Sequence, residues 1–416
     1  MKILSVNNAY YVRGGADKYF FDLNALLESR GEEVISFSVK DSNNLPSDFE
    51  RFFLSHADFF GRGRKMSDYL KITARAFYSL EARRKIRALI SAAKPQIAHI
   101  HQIHHNISPS ILPVFKENGI PVIHTLFNYD LICPNYTLFF DGRVCQDCAD
   151  GIYLRAALRR CHKGLFAASA LASLKSYFQK VTKIYEKNID FFITPSRFLE
   201  KILIRNGFEE KKFVCIRPFV DAAGYKPSYK DEGYFAYIGR LVEGKGLHTL
   251  LEAMRKLKGV KLYLAGDGYL KETLQRDVKK YDLNNVKFLG FQRAGELKNI
   301  LSGAMFTVLP SEAYETFGMA LIESFAAGKP VIGSDLGPIP EIIDNGANGL
   351  LFRPGDVDSL GENIRRLIDR PQLRRDMGAN ARKKAEDLFS PARHYREIKN
   401  LYNSFNAGSG QLWSGN

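Results

Sequence analysis

Two glutamates in the C-terminal half have a spacing that suits the two ends of a nucleotide sugar. Glu315 and Glu323 are eight positions apart, about 12 Å along a helix, which is roughly the reach from ribose to sugar in such a molecule. Between them, the backbone N–H groups near 317–319 predict a helix N-terminus that can bind a diphosphate. Alternatively, Glu315 is only a charge favoured by the helix dipole and Glu323 a solvated helix residue.

Two cations follow an earlier predicted strand. Arg240 and Lys245 lie in a glycine-containing turn that leads from this strand into a helix. Paired cations at the carboxyl edge of a sheet suit a diphosphate leaving group and can stabilise its departing charge in place of a metal ion. Alternatively, the segment is an ordinary turn with solvated basic residues.

A third glycine turn follows the first predicted strand. Gly14 and Gly15, after Arg13, would let the backbone approach a ligand across a cleft. The turn lacks the Gly-x-Gly-x-x-Gly spacing, so it does not indicate a dinucleotide site. A two-glycine turn can equally be only a turn.

Histidines and cysteines cluster in the N-terminal half. His99, His101, His104 and His105 predict either acceptor binding or metal ligation at a strand end, or a polar strand end with satisfied rings. The cysteines include a Cys-x2-Cys pair and a lone cysteine on either side, so together they could hold a structural zinc ion, or be free thiols in an ordered loop. The four candidate ligands are Cys133, Cys145, Cys148 and Cys161.

Short apolar segments alternate with amphipathic ones, which predicts an α/β protein with parallel sheets. Strands are expected at 2–7, 33–39, 97–101, 121–124 and 191–194 in the first half. Five more, at 234–239, 260–265, 286–290, 305–309 and 330–333, alternate with helices in the second. A linker rich in Pro and Gly at 218–231 separates two doubly wound domains, whose carboxyl edges leave a ligand cleft between them.

The charge balance adds a question about partners. The chain of 416 residues has a net charge of +15, and the surplus lies mainly in 51–100 and 151–200. Residues 151–187 interleave basic and apolar side chains, a pattern typical of a helix on an anionic membrane, but also of a solvated face over a core. No nucleic-acid motif accompanies the charge. No apolar run approaches the length of a membrane span, and the odd cysteine count favours a cytoplasmic protein.

Taken together, these motifs resemble the retaining glycosyltransferases of family four, which have the GT-B fold of two facing Rossmann-like domains. The resemblance covers nearly the whole chain in the order of the family. Departures are Thr316, where many members have Gly, and the loop 336–340. The matching motifs are Arg13–Ala16, His124 after a strand, Gly239–Leu241 with Lys245–Gly246, Gly266–Gly268, the pair Glu315 and Glu323, Pro340–Ile343 and Asn348–Leu351.

The resemblance implies roles for these residues. Arg240 and Lys245 would hold the diphosphate, and Glu323 the ribose hydroxyls. Glu315 would contact the donor sugar, and His124 would be an active-site histidine. The remaining expected donor contacts are Gly14, Gly15, the backbone of Phe317, Gly318, Met319 and Ala320, and Phe291 and Gln292 beside the base.

It also implies domains and an activity. Residues 1–219 would form the acceptor-side domain, with an insertion at 133–187, and 220–392 the nucleotide-sugar domain. A helix at 393–406 would return to the first domain before a mobile tail at 407–416. The enzyme would move a sugar, with retention and without a metal cofactor, from a UDP- or GDP-sugar to a hydroxyl of a glycan or lipid-linked acceptor.

The expected process is cell-surface polysaccharide assembly, in the cytoplasm or at the inner face of the cell membrane, where the basic segments could touch anionic lipid. Alternatives are another GT-B enzyme, such as a nucleotide-sugar epimerase or a phosphorylase, and, on charge alone, a nucleic-acid-binding protein.

Overall fold

The computed structural model describes residues 1–56, 75, 77–104, 106–162, 164–257 and 259–405. Most of its strands are short, apolar and buried on both faces, as parallel strands covered by helices must be. The strands are β1 (Lys2–Val6), β2 (Glu33–Phe37), β3 (Ile97–Ile100), β4 (Val122–Thr125), β5 (Phe139–Phe140), β6 (Arg143–Val144), β7 (Phe191–Thr194), β8 (Phe213–Cys215), β9 (Tyr234–Ile238), β10 (Lys261–Ala265), β11 (Val286–Gly290), β12 (Ala304–Leu309), β13 (Val331–Ser334) and β14 (Gly349–Phe352).

The helices between the strands cover the sheets. They are α1 (Gly15–Ser29), α2 (Leu80–Ala93), α3 (Leu112–Glu117), α4 (Leu154–Leu158), α5 (Phe166–Thr182), α6 (Ile184–Asn188), α7 (Arg197–Arg205), α8 (Leu247–Arg255), α9 (Lys271–Lys280), α10 (Ala294–Gly303), α11 (Met319–Ala326), α12 (Ile339–Ile342), α13 (Val357–Asp369), α14 (Pro371–Leu388) and α15 (Pro391–Ser404). Within the described ranges, no helix combines the length and the apolar character that crossing a membrane requires.

Two six-stranded parallel sheets form the framework. The first has the order β2-β1-β3-β4-β7-β8 and the second β11-β10-β9-β12-β13-β14. In each, the strand order reverses beside the sheet's first strand, between β1 and β3 and between β9 and β12. Ligands of doubly wound sheets bind at the carboxyl ends of the strands beside such a reversal. The sheets confirm the predicted fold class.

Some elements differ from the sequence expectation. The edge strands β8 and β14, of three and four residues, were not predicted. Helix α11 begins at Met319 rather than near 317, because Gly318 before it has φ +106°. Glu315 therefore lies in the loop before the helix, and the helical rise assumed for its distance to Glu323 applies only from Met319 onward.

The last helix leaves the second sheet and packs on the first domain. Ile398, Leu401 and Tyr402 of α15 are buried with Ile3 and Leu23 in one apolar cluster. Lys399 Nζ lies 2.5 Å from a carboxylate oxygen of Glu32, after α1. The domain limits at 219 and 392 stay predictions, and the tail 407–416 lies outside the described residues.

The chain therefore passes between the domains twice, and the two passages lie side by side. The Val220 N–H donates to the Phe389 carbonyl oxygen at 2.9 Å. His394 Nδ1 lies 2.8 Å from the Arg217 carbonyl oxygen. The two passages are thus hydrogen-bonded to each other.

The turn after β9 depends on a glycine. Gly246 has φ +65°, and a Cβ there would lie 1.7 Å from the Pro310 carbonyl oxygen at the end of β12. Only a residue without a side chain can hold both this conformation and this approach. Gly246 thus brings the turn at the end of β9 against the end of β12.

We expect Gly246→Ala to destabilise the protein by at least about 2 kcal/mol, because left-handed backbone strain adds to a clash with a carbonyl oxygen. Thermal unfolding should show a midpoint lowered by several degrees. The matched control is Gly295→Ala in α10, where no heavy atom lies within 4 Å of the added Cβ. Equal midpoints for the two variants would contradict the assigned role of Gly246.

Glu32 should contribute to the pH dependence of stability. Burial would raise its pKa, but bonds from Lys399, the Met1 amino group and Tyr395 lower it to about 2. A depressed carboxyl pKa stabilises the fold above the unfolded value near 4.5, and this stabilisation is lost as the pH falls from there toward 2.

We therefore expect Glu32→Gln to lose about 1.5 kcal/mol at pH 7 and to show a flatter loss of stability below pH 4.5 than the wild type. Denaturant unfolding across this pH range measures both. Glu33→Gln is the control, because Glu33 is half-exposed and pairs with the half-exposed Lys2. A Glu32→Gln curve parallel to that of the wild type would refute the assignment.

Candidate active site

The strand-order reversal of the second sheet brings the predicted cations and the first predicted glutamate together. The loop after β9 carries Arg240 and Lys245, and the loop after β12 carries Glu315. Lys245 Nζ lies 2.6 Å from Glu315 Oε1, and the Ser311 hydroxyl donates to the same oxygen at 2.5 Å. An ion pair thus joins the two loops where a ligand of this sheet would bind.

The ion pair is mostly shielded from water. The Lys245 and Glu315 side chains are 20% and 14% exposed. Burial would raise the pKa of Glu315, but Lys245, Ser311 and Arg240 together lower it below its ordinary value. The carboxylate is therefore charged at neutral pH, and it can accept hydrogen bonds from sugar hydroxyl groups.

Arg240 remains available to a ligand. Its side chain is exposed, and its carbonyl oxygen accepts a hydrogen bond from the buried Tyr237 hydroxyl at 2.8 Å. The bond fixes the turn while leaving the guanidinium in solvent. Arg240 and Lys245 together can bind two phosphate groups.

Glu323 is buried in α11 and faces the first domain. Its Oε1 lies 3.5 Å from Lys18 Nζ of α1 and accepts no hydrogen bond from the described residues. Burial raises the pKa of Glu323, against the opposing effect of Lys18. The oxygen thus keeps acceptor capacity for hydroxyl groups of a ligand. Lys18 was not predicted; its place on the first turn of a helix after the Gly14–Gly15 turn was the available signal.

The glycine turn of the first domain meets the start of α11. A Cβ placed on Gly15 would lie 3.1 Å from Met319 Cγ, whereas one on Gly14 would meet nothing within 4 Å. The Phe317 side chain is 1% exposed and lies in the core, so only its backbone can face a ligand. Ala320 is partly buried.

The predicted base contacts lie farther along the same sheet edge. Phe291 follows the edge strand β11 and is 55% exposed. The Gln292 side-chain amide donates to the Leu289 carbonyl oxygen at 2.7 Å, which fixes the turn. Phe291 thus offers an exposed ring on the ligand edge, which suits stacking against a base.

Residues of the loop after β4 and of the insertion border the site, and the sequence did not single them out. The Tyr129 hydroxyl donates to the Glu315 carbonyl oxygen at 2.7 Å. The ring of Phe139, on β5, would be 3.3 Å from a Cβ on Gly244, inside the cation turn. Gln146 Nε2 lies 3.4 Å from the Tyr314 hydroxyl. The sequence feature that could have indicated Tyr129 is its position shortly after the end of β4.

The histidines have mainly internal partners. His99 Nδ1 and Nε2 lie 2.6 Å from the Tyr402 and Thr125 hydroxyls. His124 is 1% exposed, with Nε2 3.3 Å from the His101 carbonyl oxygen, and burial lowers its pKa to about 4. His105 lies outside the described residues. The catalytic role of His124 stays a prediction.

His104 lies nearer the carboxyl edge of the first sheet. Its Nδ1 is 2.8 Å from Asp130 Oδ2, and Asn128 Nδ2 is 2.7 Å from its Nε2. Burial would raise the pKa of Asp130, but His104 and Lys175 lower it well below the usual range. Asp130 is thus an anion held between two basic side chains behind the cleft.

The zinc prediction is not supported. Within the described ranges, no group of three or more His, Cys, Asp or Glu side chains is arranged to hold a metal ion. Burial and the neighbouring cysteines raise the pKa of Cys148 to about 12 and that of Cys161 to about 11, so both thiols are protonated at neutral pH. Cys133, Cys145, Cys148 and Cys161 instead line one small apolar cavity beside Phe139.

Solved structures share this architecture. Sucrose-phosphate synthase from Thermosynechococcus elongatus is 21% identical, with a TM-score of 0.75 over 98% of this chain and 100% of that one. Anabaena HepE in complex with UDP-glucose is 18% identical, with a TM-score of 0.67 over 97% and 100%. These likenesses confirm the GT-B arrangement of the two sheets.

Curated relatives are similar over about half of their length. An uncharacterised glycosyltransferase of Methanocaldococcus jannaschii is 32% identical over 52% of this chain and 57% of its own. The capsular polysaccharide biosynthesis glycosyltransferase CapM of Staphylococcus aureus is 26% identical over 48% and 53%.

Two family models match in succession along the chain. Residues 13–223 match Glycosyltransferase Family 4, and residues 224–384 match Glycosyl transferases group 1. The first includes the Gly14–Gly15 turn and every strand of the first sheet except β1, and the second spans the sheet that carries the ion pair. The protein therefore belongs to glycosyltransferase family 4.

Proposed function

We propose that the protein is a retaining glycosyltransferase that moves a sugar from a nucleotide-sugar donor to a hydroxyl of a glycan or lipid-linked acceptor. The observation that supports this most is the Lys245–Glu315 ion pair at the strand-order reversal. In this proposal Lys245 binds the diphosphate and Glu315 binds the sugar, and the bond that breaks in the transfer lies between the diphosphate and the sugar.

Each remaining group has a part in this proposal. Glu323 accepts from the ribose hydroxyls, and its Oε1, which has only the 3.5 Å contact with Lys18 among the described residues, supports that role. Phe291 stacks on the base. The first N–H groups of α11, which lack partners in a preceding helical turn, bind a phosphate oxygen together with Arg240.

The proposed reaction is a front-face substitution. The bond from the anomeric carbon to the phosphate oxygen breaks while a bond to the acceptor oxygen forms on the same face. The acceptor proton passes to the departing phosphate. Arg240 and Lys245 stabilise the charge that develops on the diphosphate, as preorganised cations do in a site shielded from water.

The proposed donor and pathway are inferred from similar proteins. HepE is described in complex with UDP-glucose, and CapM is a capsular polysaccharide biosynthesis glycosyltransferase. We propose a UDP- or GDP-sugar as donor and a role in cell-surface polysaccharide assembly.

We expect Lys245→Ala and Glu315→Gln each to lower turnover at least about 100-fold, because each removes a group that acts on the reacting bond. Turnover is measured as nucleotide release that depends on added acceptor. Thermal unfolding reports whether each variant is folded.

Lys256→Ala and Glu252→Gln are the controls. Lys256→Ala removes a positive charge, as Lys245→Ala does, and Glu252→Gln removes a negative charge, as Glu315→Gln does. Both controls affect exposed ion pairs at or near α8, and each should leave turnover unchanged. Full turnover in both folded site variants would refute the site. Nucleotide release at the same rate without acceptor would instead support hydrolysis or epimerisation.

A second experiment identifies the donor base. The full chain is heated with UDP, GDP or ADP, and the unfolding midpoint is recorded as a function of nucleotide concentration. A ligand of the folded state raises the midpoint in proportion to RT ln(1 + [L]/Kd). We expect UDP or GDP to do so and Glu323→Gln to reduce the rise. No rise with any nucleotide would contradict the donor site.

A further inference from the structure

Helix α5 is inverted with respect to polarity. Its buried side chains are polar, Ser169, Ser173, Ser176 and Gln179. The serines are spaced by four and three residues, so they form one face of the helix. Ser169 and Ser173 each donate to the carbonyl oxygen four residues earlier at 2.8 Å, and Ser176 does so at 3.1 Å. The buried hydroxyls are thus satisfied within their own helix.

Three large apolar side chains of α5 point outward. Phe166, Leu174 and Val181 are 54%, 59% and 80% exposed. At 100° per residue, they lie within about 80° of one another around the helix axis. An ordinary surface helix turns this face to the core.

The neighbouring helix α4 continues the apolar surface. Leu154 and Leu158, one turn apart, are 54% and 68% exposed. The partly buried Tyr177 of α5 accepts a hydrogen bond from the Leu154 N–H at 3.2 Å and packs its ring against Tyr153. The exposed faces of the two helices therefore adjoin.

These residues are concentrated in one segment. Of the fifteen large apolar side chains exposed in the described ranges, seven lie between positions 152 and 181. We call this set the α4–α5 apolar surface. Its members are Ile152, Leu154, Leu158, Leu165, Phe166, Leu174 and Val181.

Positive charge accompanies this surface. Residues 151–187 contain eight Lys and Arg against the single acid Glu186. Arg155 and Arg159 pair with Asp150 and Asp147. The exposed Lys183 and Lys187, at the end of α5 and in α6, add to the surplus. Apolar side chains bordered by cations complement the acyl boundary and anionic headgroups of a lipid bilayer.

We propose that the α4–α5 apolar surface docks on an anionic membrane, with the two helices lying in the lipid interface. The same insertion contributes Phe139 to the wall of the donor site, so docking holds the cleft beside the bilayer. The benefit for a lipid-linked acceptor rests on the proposed function, whereas the membrane contact itself does not.

The test is co-sedimentation of the full chain with vesicles of phosphatidylglycerol or of phosphatidylcholine at low salt. We expect binding to the anionic vesicles, weaker binding to the neutral ones, and loss of binding as added salt screens the charge. Leu158→Glu with Val181→Glu should weaken binding to anionic vesicles at least tenfold.

Leu45→Glu with Leu80→Glu is the matched control. These leucines are 51% and 74% exposed but lie outside the surface, so this variant should bind like the wild type. Lys245→Ala should also bind, which separates membrane docking from the proposed activity. Light scattering of the lipid-free chain should show the same mass for wild type and the surface variant.

Three outcomes would overturn the proposal. They are absence of binding to anionic vesicles, equal binding by the surface variant and the wild type, and a dimer that only the surface variant dissociates. The last would assign the surface to a second copy of the chain.

Discussion

The ion pair between Lys245 and Glu315 is the interaction on which the carboxyl edge of the second sheet depends. It joins the loop after β9 to the loop after β12, at the place where the second sheet reverses its strand order. Burying two opposite charges is favourable only where their geometry is good and their remaining bonds are made. Gly246 and Ser311 meet that condition. Gly246 permits the close approach of the two loops, and the Ser311 hydroxyl donates a hydrogen bond to the Glu315 carboxylate.

The loop between β12 and α11 is also held from the first domain. Tyr129 bonds the carbonyl oxygen of Glu315, and the Ser196 hydroxyl donates to that of Thr316 at 2.8 Å. Two N–H groups at the start of α7 donate to the Glu341 carboxylate at 3.0 and 2.6 Å. The position of Glu315 is therefore set jointly by both domains, so its geometry responds to how they approach each other.

Much of the framework could be predicted from the sequence, because buried parallel strands are short runs of apolar residues that stand out between amphipathic helices. The strand at 191–194, for example, was placed at its observed limits. It was harder to predict from the sequence which face of a helix or strand is buried. His124 lies in a strand buried on both faces, where polarity does not reveal direction. In α5 the polar face is the buried one, which reverses the usual rule.

The contacts between segments far apart in the chain could not be predicted from the sequence for a different reason. Lys18 and Glu323 are far apart in the chain, and only folding brings them within 3.5 Å. The cysteine spacing likewise predicted a cluster, but not that its members would line an apolar cavity.

The two hydrogen-bonded passages between the domains, at Val220 and Phe389, have a mechanical consequence. A single connecting segment lets two domains both bend and twist relative to each other. Two segments that are hydrogen-bonded side by side allow the domains to bend across the plane that contains both segments, but they resist twisting of one domain against the other. Any movement of one domain against the other is thereby restricted to bending across that plane.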